Sequence, residues 1–106
     1  MTLRISSAAV VLLAAFIVAP AFSQARGADV YIAKCAVCHG ADGLANTPMA
    51  KIMPTLSFKA PQLLKSSDTQ LFASTKNGKE TMKGYAGKLT DAQIKDVVAY
   101  IRTLQK

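Results

Sequence analysis

Apolar positions recur with a helical period in three places along this 106-residue chain. The clearest is the last. Thr90-Asp-Ala-Gln93 has the form of a capping box, in which a Thr hydroxyl and a Gln side chain satisfy backbone N–H groups reciprocally at a helix start. Ile94, Val97, Val98, Ile101 and Leu104 follow as a stripe at helical spacing. Ser67-Asp-Thr-Gln70 predicts a second start, with Leu71, Phe72 and Thr75 on one face and Asn77-Gly78 as the stop. A first helix is predicted from about Ala28 to Cys38. Asp29 suits the positive end of its dipole, and Gly40 ends it. Between the first and second helices, Pro48, Pro54 and Pro61 exclude a continuous helix over 41–66. No strand pattern competes. The expected fold class is all-α, with three main helices and long loops. A connection as long as 41–66 implies something packed beneath it.

The first quarter follows another plan. Met1-Thr-Leu-Arg4 is a short basic start, Ile5 to Ala19 is apolar and uncharged, and Pro20 to Ala25 is rich in small residues. This is the pattern of a secretory signal peptide over 1–25, cleaved after Ser23 or after Ala25. The apolar run is shorter than the roughly 20 residues a spanning helix needs, and Pro20 interrupts it. No stable membrane insertion is expected after cleavage. Residues 26–106 then form one domain, small enough that a purely protein core is marginal.

Thirteen basic residues stand against six acidic ones, a formal net charge of +7. The lysines are scattered, with no basic run and no aromatic ladder for single strands to stack on, so nucleic acid is not an expected partner. A positive surface suits a soluble monomer steered toward acidic proteins.

The chemistry is concentrated. Both cysteines and the only histidine lie in Cys35-Ala-Val-Cys38-His39. A thioredoxin-like pair would need a preceding strand and a βαβ context. A structural zinc site commonly needs four ligands, usually as two pairs, and there is one pair here. C-x-x-C-H is the signature of covalent haem attachment. Two thiols add to the two vinyl groups of the porphyrin, and the adjacent imidazole reaches the iron. A haem would also supply the missing core.

At this point the chain resembles the class I cytochromes c over essentially all of residues 26–106. The resemblance rests on Y-x-x-x-C-A-x-C-H-G-x-x-G at Tyr31–Gly43, on Asn77-Gly-Lys-Glu-Thr-Met-Lys-Gly-Tyr85, and on Leu89-Thr-Asp-Ala-Gln-Ile-Lys-Asp-Val-Val-Ala-Tyr-Ile101. It implies one covalent haem c per chain, bound by Cys35, Cys38 and His39, with Met82 as second axial ligand. A thioether there raises the potential and closes the iron to substrates. Met49 and Met53 are expected to pack at the haem edge or to be partly exposed. The family places a proline carbonyl on the other ring nitrogen of the histidine, which makes Pro54 the expected partner of His39. It also implies that the first and last helices cross, with Tyr31 near Ile94, Val97 or Val98. Where the family often has proline after its methionine, this chain has Lys83, an amine expected to replace Met82 at high pH.

The implied function is a periplasmic bacterial electron carrier that serves a respiratory or photosynthetic chain, not an enzyme. Lys34, Lys51 and Lys83 are expected near the haem edge, facing acidic docking surfaces. Peroxidase-type catalysis would require an open iron, and no second histidine exists to assist it. The alternative is a haem subunit or sensor working within a larger oxidoreductase.

Overall fold

The computed structural model describes Thr2 and residues 19–106, so the apolar run assigned to the signal peptide lies, up to residue 18, outside the described residues. In chain order the elements are α1 (Ala19–Lys34), α2 (Ala36–His39), α3 (Pro48–Ile52), α4 (Pro61–Leu64), α5 (Asp68–Asn77), β1 (Gly78–Lys79), β2 (Met82–Lys83) and α6 (Asp91–Leu104). Among the described residues no helix is long and apolar enough to cross a membrane.

The two capping boxes form as their sequences require. Ser67 Oγ accepts from the Gln70 N–H and Gln70 Oε1 from the Ser67 N–H, at 3.1 and 2.8 Å. Thr90 and Gln93 repeat the arrangement with the same two distances. Ile94, Val97, Val98 and Ile101 are all buried, so the stripe on α6 is the core face. Ile94 and Val97 are 0% exposed, and burying each such side chain is worth roughly 1.5–3 kcal/mol.

The most extensive contact between elements is that of α1 with α6. Gly27 lies at the crossing. A methyl group there would overlap the backbone carbonyl of Asp96 and sit 3.1 Å from Tyr100 Cβ. Helices whose backbones come this close need a residue without a side chain. Arg26 Nε bonds Asp96 Oδ2 at 3.0 Å beside the crossing. Tyr31, on the same helix, is 0% exposed and shares the core with Ile94, Val97 and Val98. Its ring lies 5.2 Å from that of Tyr100.

Three expectations need correcting. The first helix is already formed at Ala19, ahead of Ala28, and it breaks at Cys35 instead of running on to Cys38. No proline or glycine stands between Ala21 and Arg26 to oppose a helix ahead of Gly27. At Cys35 the chain pivots with φ −114° and ψ −34° before the turn Ala36–His39. The 41–66 connection is not structureless either. Pro48 and Pro61 open the short helices α3 and α4, and the Thr47 hydroxyl caps the first of them by accepting from the Ala50 N–H at 3.1 Å. Finally, a two-stranded antiparallel hairpin pairs Gly78 with Lys83 and Lys79 with Met82. Strands of two residues leave no period to read. The reversal needs positive φ at Gly78 (83°) and at Glu80 (55°).

Candidate functional site

The end of α2 is wrapped by the turn that follows it. Gly40, at φ 81°, lets the chain double back. The Cys38 carbonyl then accepts from the Thr47 hydroxyl at 2.7 Å, and the His39 carbonyl from the Ala45 N–H at 2.8 Å. Tyr31 donates its buried hydroxyl to the Gly40 carbonyl at 2.6 Å, tying α1 to the same turn. Burial pushes this phenol well above its usual pKa, with smaller contributions from Cys35, Tyr100 and Asp42, so the bond is a permanent donor contact.

Cys35 and Cys38 are both free thiols. Cys35 is 7% exposed, and burial followed by the neighbouring Cys38 pushes its pKa up to about 11. His39 is half-buried. Its ring stacks on Phe58, with centroids 4.3 Å apart and planes 16° from parallel. Nδ1 lies 3.2 Å from the Leu56 carbonyl. A carbonyl only accepts, so Nδ1 carries the proton and Nε2 keeps its lone pair. Burial lowers the His39 pKa, opposed by the bond to Leu56, so the imidazole is neutral at pH 7, the state in which it binds a metal.

Pro54 does not hold the place expected of it. The acceptor for His39 is the Leu56 carbonyl, two residues further on. The Pro54 carbonyl instead faces the Thr81 hydroxyl at 3.4 Å. Any residue presents a carbonyl, so which one faces the imidazole is decided by the path of the loop and not by a side chain. Sequence reading also missed Phe58. It is buried, and its backbone N–H bonds the Gly43 carbonyl at 2.9 Å while its carbonyl accepts from Gln105 Nε2 at 3.0 Å. These bonds fix the stacking ring between the post-motif turn and the end of α6.

Met82 is half-buried on β2 and Lys83 beside it is exposed. Neighbours along a strand face opposite ways, so Lys83 points away from the side that Met82 takes. The residue directly across from Met82 is Lys79. Paired residues share a face, so Lys79 is the amine on that side. Met49 and Met53 are both half-buried, and Lys34 and Lys51 are exposed.

The donor set fits a covalent haem. Two unpaired thiols stand three positions apart beside an imidazole whose free nitrogen is the one not held by the backbone. The 41–66 connection leaves Leu44, Ile52, Leu56 and Leu64 at least 37% exposed, apolar surface of the kind a porphyrin covers. Among the described residues no group of three His, Cys, Asp or Glu side chains is gathered as a metal cage.

A family model described as cytochrome c oxidase, cbb3-type, subunit III matches residues 22–101. Cytochrome c6 of Parathermosynechococcus lividus is 40% identical over 78 residues, which cover 73% of this chain and 85% of that protein. Cytochrome c6 of a Synechococcus species is 36% identical over 102 residues, covering 93% of this chain and 88% of its own. The chain belongs to the class I cytochromes c. Among solved structures, the KustC0563 c-type cytochrome superposes with a TM-score of 0.67 at 27% identity, over 76% of this chain and 98% of that one. As a small mono-haem cytochrome c of the all-α fold, the chain carries one covalently attached haem c and serves electron transfer.

Proposed function

We propose that this cytochrome is exported to a bacterial periplasm, cleaved after Ser23 or Ala25, and shuttles single electrons between partner proteins. Cys35 and Cys38 hold the haem through thioethers, and His39 Nε2 and the Met82 thioether are the axial donors. The observation that carries the reading is the His39 side chain: neutral, stacked on Phe58, and bonded through Nδ1 to Leu56, it presents one lone pair in a fixed direction. Such outer partners fix ring orientation and raise ligand basicity. The haem supplies the one-electron centre. The protein excludes water, holds both ligands through the change of charge, and offers the docking surface. The exposed amines of Lys34, Lys51 and Lys83 favour an acidic partner.

The test is the purified protein from a host that matures c-type haem. Intact mass must show a chain starting at Gln24 or Arg26 plus one haem. The ferric protein must show the sulfur-to-iron charge-transfer band, and the ferrous protein must not bind carbon monoxide. A haem-free mass sinks the attachment, and carbon monoxide binding sinks the second ligand. Association with an acidic partner must slow as salt rises, and a rate indifferent to ionic strength removes steering. The match to a model named for an oxidase subunit supports a second reading, a haem subunit within a larger oxidoreductase. Co-purification with further redox subunits from the native host would favour it.

A further inference from the structure

The segment bearing Met82 is tethered on both sides of that residue, and one tether is a side chain with no part in the chemistry above. On the near side, the Thr81 hydroxyl reaches the Pro54 carbonyl at 3.4 Å. This is the stretch whose Leu56 carbonyl orients His39. On the far side stands Tyr85. Its backbone N–H donates to the Thr75 carbonyl of α5 at 2.9 Å, and its carbonyl accepts from Lys88 and Leu89 at 3.0 and 2.9 Å. Its ring packs against the core, and its hydroxyl donates to the Lys34 carbonyl at 3.0 Å.

Lys34 is the last residue of α1, immediately before Cys35, and a carbonyl at a helix C-terminus lacks an intrahelical donor. A single phenol therefore joins the end of the helix that leads into Cys35 to the loop that carries the methionine, 51 residues away in sequence. Burial raises the pKa of this phenol, with Cys35 and Cys38 contributing after it, which sets the group beside the attachment motif.

We propose that Tyr85 is a positioning residue for Met82, its hydroxyl latching the ligand loop onto the end of α1 beside Cys35. The inference rests on the ligation proposed above. Tyr85 does not touch the iron. It sets how often the loop lifts, and so how readily another donor takes the place of Met82. Removing the hydroxyl leaves the ring in the core and frees one tether.

The test is imidazole binding to the ferric holo-protein, followed by its spectrum, in wild type, Tyr85→Phe, Met82→Leu and the double variant. A lost hydrogen bond of ordinary strength predicts a roughly two- to tenfold rise in the binding rate and affinity for Tyr85→Phe. In the Met82→Leu background, where no methionine has to leave, the same change is expected to do nothing. Equal binding by wild type and Tyr85→Phe, with fast binding by Met82→Leu, overturns the latch and leaves the ligation standing. Equal binding by wild type and Met82→Leu overturns the ligation itself. An equal gain from Tyr85→Phe in both backgrounds shows general loosening, and that also overturns the latch.

Discussion

The two segments proposed above to offer donors to the iron are built differently. Cys35–His39 is anchored on the core. Cys35 is buried, Tyr31 bonds the turn after it, and Phe58 stacks on the imidazole from a backbone bonded at both its N–H and its carbonyl. Met82 hangs on a hairpin of two residues per strand, joined to the rest at Thr81 and Tyr85. One donor inherits the rigidity of the α1–α6 crossing. The other follows a loop that can open without unfolding the domain, as weakly packed segments generally can. Substitutions on the histidine side are therefore expected to cost stability, and those on the methionine side to change chemistry at little cost to the fold.

The largest break in that contrast comes from Phe58→Ala. It empties a buried aromatic site and releases the imidazole, so a loss of about 3–5 kcal/mol is expected from denaturant unfolding of the holo-protein. A loss close to zero would mean that Phe58 contributes nothing to the rigidity of the histidine side. Gly27→Ala comes next. The added methyl must push α1 away from the Asp96 carbonyl, at about 1–3 kcal/mol, read from the same unfolding curves. On the other side, Met82→Leu should lower the reduction potential, because a thioether ligand raises it. Its unfolding midpoint should move less than in either core variant. A midpoint shift as large as that of Phe58→Ala would erase the distinction between the two segments. The smallest effect concerns ligand exchange at high pH. Lys79 shares the face of Met82 and Lys83 does not. Lys79→Ala is therefore expected to move the exchange to higher pH, and Lys83→Ala to leave it in place. The reverse result would mean that the hairpin opens before exchange.

What was legible in the sequence follows the range of each interaction. Both capping boxes act over three residues and were readable as written. The Ile94–Ile101 stripe was readable because its period is that of the helix it forms. One signal misled. The helix over Ala19–Lys34 runs through residues whose small side chains also suit a peptidase site, and nothing local marks where one role ends. Gly27 carries no signal of its own, and only the partner helix shows that any side chain there would collide. The hairpin at Gly78–Lys83 has too few residues to carry a pattern.

By itself the sequence determined the attachment chemistry. Two thiols and an imidazole at C-x-x-C-H spacing define what can be bound there, because the spacing along one turn of chain sets their separation whatever the rest does. It also determined where α5 and α6 begin and which face of α6 is buried. The tertiary structure alone decided how the donors are held: the Leu56 carbonyl on His39 in place of Pro54, Phe58 against the ring, Lys79 on the side of Met82, and Tyr85 on Lys34. Each of these joins residues distant in sequence or depends on a backbone group that every residue carries, so only the folded path of the chain selects among them.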